Sequence, residues 1–276
     1  MAVVTFLSAK GSPGVTTTAL LAAALWPRPA VLVEADPAGG DLAARVPGPD
    51  GAPLDADRGL LPLLTTARRG LRAAQVLDQA QVVAGGSRVV VGVGGPEQSA
   101  AAGPVWSALG GALRELGQGP SHDSAGPFDV LVDAGRVGAD PVHLDLLRAS
   151  DVVVALVRSE VAAVLHARER LRVLGGALRR PDGSSPRTGV VVVGDLRRAA
   201  RRADDCAGVL VGPAVEDLGR LPLDPAGAAV FAGAGTARPE RTALVRAGRT
   251  VVATLAAAAE ATATTAGRVP AGAGAA

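Results

Sequence analysis

The sequence contains few of the residues that build disulfide frameworks or aromatic-rich surfaces. Its 276 residues include one cysteine, three phenylalanines, two tryptophans and no tyrosine. The single cysteine, Cys206, excludes an internal disulfide and leaves no cysteine pair to hold an iron–sulfur cluster. No apolar run approaches the roughly 18 residues that a membrane-spanning helix needs, and the first residues lack the basic segment of a secretory signal. We therefore expect a cytoplasmic globular protein without a membrane span.

Lysine is as scarce as cysteine, because Lys10 is the only lysine among 28 basic residues. It follows an apolar run, Val3–Leu7, that predicts a buried strand, and it precedes an Ala- and Leu-rich helix that starts near Thr16. A strand, a glycine-containing loop and a helix N-terminus together form an anion site, because the first N–H groups of a helix have no internal partner. The lysine ammonium contacts a phosphate as a compact point charge on a flexible stem, whereas an arginine guanidinium is a planar fork, so the two are not interchangeable at such a site. The loop therefore predicts a phosphate site, with a threonine hydroxyl available to Mg²⁺.

The loop resembles the deviant Walker A motif of the MinD/ParA family of P-loop ATPases (SIMIBI class), whose pattern is K-G-G-x-G-K-[ST]-T. Five positions match that pattern: Lys10, Gly11, Gly14, Thr16 and Thr17. Ser12 replaces a glycine, Pro13 has no N–H to donate, and Val15 replaces the second lysine of the motif. The resemblance implies that all eight residues from 10 to 17 bind ATP. It also implies that Lys10 acts in catalysis and that Thr16 binds Mg²⁺.

Further family motifs follow in the expected order along the chain, between residue 2 and about residue 235. The segment that ends in Glu34-Ala35-Asp36-Pro37 resembles the family's D-x-D-P motif, with Glu34 in place of the first aspartate. By this resemblance, Asp36 positions the attacking water. Asp133 ends a strand that resembles Walker B and would hold Mg²⁺ through water. Pro222 and Asp224 lie in a segment that resembles the family's late I-P-x-D motif near the adenine pocket.

The alternation of apolar runs and helical segments predicts an α/β fold, namely a doubly wound, mainly parallel sheet with helices on both faces. Strands are predicted near residues 2–7, 30–34, 88–94, 128–133, 152–157 and 188–194, with further candidates at 209–211 and 218–221. Helices are predicted at 16–26, 98–117, 141–149, 160–175, 196–206 and 239–262. Loops are predicted at 47–58, 118–127 and 181–187. We expect one P-loop domain over residues 1–262 and a flexible Ala/Gly/Pro tail over 263–276.

Two functions are compatible with these motifs. The first is an ATP-binding switch that forms a nucleotide-dependent homodimer and positions chromosome, septum, or secretion or pilus machinery. Its hydrolysis is expected to be weak or absent, because Val15 removes a charge that stabilises phosphoryl transfer. Arg136 or Arg158 is a candidate to replace that charge. The second function is a non-hydrolysing scaffold, similar to TadZ/CpaE-type localisation factors, that binds protein partners.

Other features of the sequence carry weaker signals. Four arginines share one face of a predicted helix and suggest nonspecific DNA binding: Arg197, Arg198, Arg201 and Arg202. The formal net charge is only +2, however, and acidic residues follow these arginines directly, which favours a solvated surface. The last predicted helix has no lysine or bulky aromatic residue, so it is a poor membrane-surface anchor. The three histidines show no metal-ligand spacing, and the glycines at 92–95 do not form a dinucleotide-binding motif.

Overall fold

A computed structural model describes residues 1–103, 105–118, 127–233 and 238–266 of the chain. In these residues, eight strands form one sheet in the order β3-β4-β2-β5-β1-β6-β7-β8. All neighbouring strands are parallel except β3 and β4. The strands are β1 Val3–Ser8, β2 Ala30–Glu34, β3 Gln81–Val82, β4 Arg88–Val90, β5 Asp129–Arg136, β6 Val152–Arg158, β7 Arg187–Gly194 and β8 Glu216–Pro222.

Helices cover both faces of the sheet, as the alternation predicted. Successive residues of β1 point to opposite faces, so Val3 and Leu7 belong to one apolar core whereas Val4 and Phe6 belong to the other. This confirms the doubly wound fold class. The helices are α1 Val15–Leu25, α2 Leu42–Arg45, α3 Leu60–Thr66, α4 Ala73–Asp78, α5 Pro96–Ala101, α6 Val105–Gln118, α7 Leu144–Ala149, α8 Val161–Ala177, α9 Leu196–Leu210, α10 Pro225–Val230 and α11 Ala243–Ala266.

Several predicted boundaries differ from the structure. The helix predicted at 98–117 is two helices, α5 and α6, because Gly103 has a φ of +43° and interrupts the helical path. The candidate strand at 209–211 is wrong: Val209 and Leu210 end α9, and Leu210 packs into the core with that helix's buried face. The last helix starts later than predicted and ends at Ala266. Residues 267–276 of the predicted tail lie outside the described residues, as do 119–126 of the predicted loop.

The topology places one loop at the centre of the sheet's carboxyl edge. β1 lies between β5 and β6, and the chain leaves β1 at Ser8 to enter α1 at Val15. In open parallel sheets, ligands bind at this edge. Among the helices of the described residues, none is both long and apolar enough to cross a membrane.

Candidate functional site

The loop between β1 and α1 has the backbone shape that an anion site requires. Gly11 and Gly14 have φ values of +73° and +91°, a left-handed conformation that favours glycine. No side chain caps the N-terminus of α1, and its first turn carries no acidic residue. Because the first N–H groups of a helix point outward without an internal partner, this terminus is available to an anion.

Two of the unusual loop residues pack inward. Val15 is 7% exposed and belongs to the same apolar core as Phe6 and Leu20. Pro13 is also buried, whereas Gly11 and Ser12 are exposed. The residue that replaces the second motif lysine therefore anchors the start of α1 in the core and supplies no charge to the loop.

Lys10 lies at the exposed edge of the loop. Its ammonium nitrogen Nζ is 3.1 Å from the ring nitrogen Nε2 of His166, which is also exposed and lies on α8. The contact joins two solvated side chains. An interaction of this kind contributes little free energy, so Lys10 can leave it readily.

Asp133 lies inside the carboxyl edge, on β5, which pairs with β1. Its side chain is fully buried; Oδ1 accepts a hydrogen bond from the Gly135 N–H at 3.0 Å. Oδ2 is buried and lacks a hydrogen-bond partner among the described residues. Burial raises the pKa of Asp133 to about 6, while the nearby Thr16 side chain and the Gly135 N–H oppose that rise. A buried carboxylate oxygen with no partner, close to a threonine hydroxyl, fits a cation between them.

Asp36 reaches the same region from the end of β2. It occupies the space where Gly135, with a φ of +59°, lacks a side chain: a Cβ on Gly135 would lie 1.9 Å from Asp36 Oδ2. The Ala38 N–H donates to Asp36 Oδ1 at 2.8 Å. Burial raises the pKa of Asp36, and Asp41 adds to the rise, whereas Ala38 and Arg136 lower it. Asp36 and Asp133 thus lie close together at the carboxyl edge of the sheet.

Glu34, which stands in place of the first aspartate of the D-x-D-P motif, is buried and accepts hydrogen bonds from two other segments of the backbone. Its Oε1 accepts from the Asp41 N–H at 2.8 Å and the Leu42 N–H at 3.1 Å, and its Oε2 accepts from the Gly92 N–H at 2.7 Å. Burial raises the pKa of Glu34 to about 7, and these three N–H donors lower it. The side chain therefore joins the end of β2 to the segment before α2 and to the segment after β4.

A cavity of about 120 Å³ opens beside the loop, toward β8. Loop residues 12–14 line one wall, and residues 221–225 line another. Arg158, at the end of β6, also lines it and forms a 3.5 Å ion pair with Glu160. Pro222 and Asp224, predicted near a base, are therefore adjacent to the loop. The Asp224 carboxylate caps two helices, accepting from the Gly227 N–H and the Leu244 N–H, each at 3.0 Å.

A larger, mostly apolar cavity of about 300 Å³ lies elsewhere, against the outer side of α1. Its lining includes Leu20, Val46 and Phe231 and none of the loop residues 10–17. An apolar lining does not suit a polyphosphate, so the smaller cavity beside the loop is the better ligand site.

One arginine near the loop is not part of any recognised motif. Arg45, on α2, donates from Nη2 to the hydroxyl Oγ1 of Thr17 at 3.2 Å. Its sequence neighbourhood, Leu42-Ala43-Ala44-Arg45, carries no signal of a site, because the contact depends on how α2 packs beside α1. The other arginines that the sequence singled out are placed differently. Arg136 is exposed near Asp36, and the four arginines of α9 are exposed.

His143 is buried but does not reach the loop. Its Nε2 is 3.2 Å from the carbonyl oxygen of Ala134, and its ring packs edge-on against Trp106. Burial lowers the pKa of His143 to about 4, so the ring is neutral at ordinary pH. In the described residues, no group of three or more His, Cys, Asp or Glu side chains is arranged to hold a metal ion. A cation here would need ligands from a bound phosphate as well.

Comparison with solved structures gives the same fold. The chain is similar to a ParA family ATPase from Chlorobium tepidum (16% identity, 91% of this chain and 98% of that one, TM-score 0.64). It is also similar to the septum site-determining protein MinD from Pyrococcus horikoshii in complex with Mg-ADP (16%, 92% and 95%, TM-score 0.59). A third match is a McdA–ATP complex from Cyanothece (13%, 92% and 95%, TM-score 0.66). No protein-family model and no curated protein sequence matches the chain. The structure therefore has the fold of MinD/ParA-type ATPases, as the motifs predicted.

Proposed function

We propose that this protein binds Mg-ATP at the loop of residues 10–17 and acts as a nucleotide switch with weak or absent hydrolysis. The observation that carries the proposal is the shape of this loop. Two left-handed glycines lead into an uncapped helix N-terminus at the carboxyl edge of the sheet. That combination presents backbone N–H groups to a phosphate chain.

The metal would be bound by Thr16 and Asp133. The unpartnered Oδ2 of Asp133 supports this assignment, because a buried carboxylate oxygen is costly unless something pairs with it. Mg²⁺ commonly takes one or two protein ligands, the substrate phosphates and several waters. It would supply positive charge to the β- and γ-phosphates. The base would occupy the cavity beside Pro222 and Asp224, with Asp224 shaping the wall through its two helix caps.

Hydrolysis is expected to be slow because the site lacks a charge. Removing one group that stabilises the transition state typically costs about 10²–10³ in rate. Asp36 lies near Asp133, and from there it would orient the attacking water. Arg158 lines the nucleotide cavity and is the better-placed candidate to replace the missing lysine, whereas Arg136 lies nearer to Asp36.

Exposure of Lys10 supports a nucleotide-dependent homodimer. The resemblance of the loop to the MinD/ParA motif implies that Lys10 of each subunit would reach the phosphates bound by the other. Lys10 is solvent-accessible and only weakly held, so it is available for that role. We propose that such a dimer acts in the cytoplasm on a protein partner to position chromosome, septum, or secretion or pilus machinery. DNA binding by the exposed arginines of α9 remains the less favoured partner interaction.

Burial of Val15 and Pro13 favours a second candidate function. Both residues remove a phosphate contact from the loop, which is compatible with a scaffold of TadZ/CpaE type that keeps the fold without turnover. The two functions differ in one respect that can be measured. A switch binds nucleotide through Lys10, and a scaffold of this kind binds its partners without nucleotide.

The test is calorimetric titration of Mg-ATP into wild type, Lys10→Ala and Arg172→Ala, with phosphate release followed in parallel. Arg172 is an exposed arginine on α8 paired with Glu169, and it serves as a matched control for loss of one positive charge. The switch predicts binding that weakens in Lys10→Ala and not in Arg172→Ala, with slow release. Absence of binding at millimolar Mg-ATP would reject it and leave the scaffold.

A further inference from the structure

The contact between Arg45 and Thr17 joins α2 to the nucleotide loop. Thr17 lines the cavity together with loop residues 12–14, so its side chain stands at the site. The Arg45 Nη2 donates to Thr17 Oγ1 at 3.2 Å. A hydroxyl has one O–H donor and two acceptor lone pairs. Since Thr17 accepts from Arg45, its own hydrogen is left to donate, and a phosphate bound in the cavity that Thr17 lines would be a suitable acceptor.

Arg45 has a second, weaker contact on its other side. Its Nη1 is 3.8 Å from Asp41 Oδ2, one helical turn earlier. The backbone N–H of Asp41 is in turn fixed by the buried carboxylate of Glu34. Glu34 thus fixes the backbone at Asp41, whereas the ion pair between the Asp41 and Arg45 side chains is long and Asp41 is 65% exposed, so it is a weak contact. The Arg45 side chain keeps 30% exposure, so further N–H groups have access to the solvent beside the loop.

Arg45 also adds positive charge next to a loop that lacks the second motif lysine. Val15 contributes none, and Lys10 lies at the outer edge. The Arg45 guanidinium, which is hydrogen-bonded to the cavity-lining Thr17 hydroxyl, supplies a positive charge next to the cavity. Arginine recognises phosphate through paired N–H donors and keeps its charge at all ordinary pH values.

We propose that Arg45 is a nucleotide-positioning residue that acts through Thr17. It orients the Thr17 hydroxyl as a donor to a phosphate of the bound nucleotide and adds positive charge beside it. This assignment rests on the proposed function, because it takes the loop to be a nucleotide site. Arg45 thus carries part of the role that a lysine at position 15 has in ordinary P-loop proteins.

The test is a double-mutant cycle on Mg-ADP affinity, measured by calorimetry on wild type, Arg45→Ala, Thr17→Val and the double variant. Each single change is expected to weaken binding about tenfold, the scale of one hydrogen bond to a charged group. The affinity of the double variant for Mg-ADP should be at most about twofold below that of whichever single variant binds less tightly, because both changes remove the same coupled contact. Arg45→Lys keeps the charge and should lose only about threefold, and Arg172→Ala should match wild type.

The outcomes separate this inference from the proposed function. Wild-type affinity in Arg45→Ala would overturn the role of Arg45 and leave nucleotide binding intact. Losses that multiply to about a hundredfold in the double variant would show that Arg45 does not act through Thr17. If wild type itself binds no Mg-ADP, both proposals fail. Melting temperatures show whether Arg45→Ala is folded. If it is not, Arg45→Lys replaces it in the test. Wild-type affinity in both Arg45→Lys and Thr17→Val would also overturn the role of Arg45.

Discussion

Replacement of Gly135 by alanine probes the packing between Asp36 and the Walker B-like strand. The new methyl group would lie 1.9 Å from Asp36 Oδ2 and 2.0 Å from its Cγ, so the aspartate side chain must rotate away. The φ of +59° adds backbone strain of about 1–2 kcal/mol for an L-residue. Loss of the hydrogen bond from the Ala38 N–H adds about 1 kcal/mol. We expect Gly135→Ala to lower the free energy of unfolding by about 2–3 kcal/mol.

Urea unfolding followed by circular dichroism measures this loss, and Gly138→Ala is the matched control. Gly138 lies three residues further along, has no positive φ, and a Cβ there would meet no atom within 4 Å. Asp36→Ala combined with Gly135→Ala removes the clash, so the double variant should be no less stable than Gly135→Ala alone. The packing argument is refuted if Gly135→Ala unfolds within about 0.5 kcal/mol of wild type, or if the two changes destabilise additively.

Two more predictions concern charge in the same region. Burial raises the pKa of Glu34 from 4.5 to about 7, so the folded state keeps a proton that the unfolded chain releases. The contribution of Glu34 to stability is therefore fully present below about pH 4.5 and falls by roughly 3 kcal/mol as the pH rises to 7 in nucleotide-free protein. Urea titrations across this range should show that decline, and an unchanged slope in Glu34→Gln would contradict it. Val15→Lys should destabilise the free protein by about 2 kcal/mol, because a core valine is lost. It should also speed phosphate release at least tenfold relative to the exposed-site control Val142→Lys, and equal rates would contradict this.

The sequence predicted the sheet well because its central strands are continuous apolar runs that are buried on both faces. Val190 to Val193 is such a run of β-branched residues, and it is typical of a strand that is covered on both faces. The short helices α2, α3 and α4 were not predicted. They lie in a stretch of mixed apolar and turn-forming residues, and their stability comes from the burial of side chains such as Leu42, Leu60 and Val76 in the apolar cores. The β3–β4 pairing is equally local and only two residues long.

The candidate site was also predicted only in part from the sequence. The motifs singled out Lys10, Thr16, Asp36 and Asp133, whose roles stay predictions. Lys10 and Asp36 follow β1 and β2, Asp133 lies within β5, and Thr16 lies in the first turn of α1, so the parallel topology brings all four to one edge of the sheet. The inward packing of Val15 was not predicted, since the motif position alone does not say where its side chain lies. Arg45 was missed for a related reason: its contact with Thr17 crosses between two helices, and no spacing along the chain encodes it.

The burial of Val15 and Pro13 has a consequence for the thermodynamics of association. A loop that is held by its ligand must be ordered at the moment of binding, and that ordering subtracts from affinity. Here the core fixes the loop from beneath, at Pro13 and at the first residue of α1. A nucleotide bound at this loop would lack a lysine–phosphate contact at position 15 and would meet a loop that is already ordered. Nucleotide binding should therefore show a small entropic penalty from the protein and a correspondingly weak enthalpy.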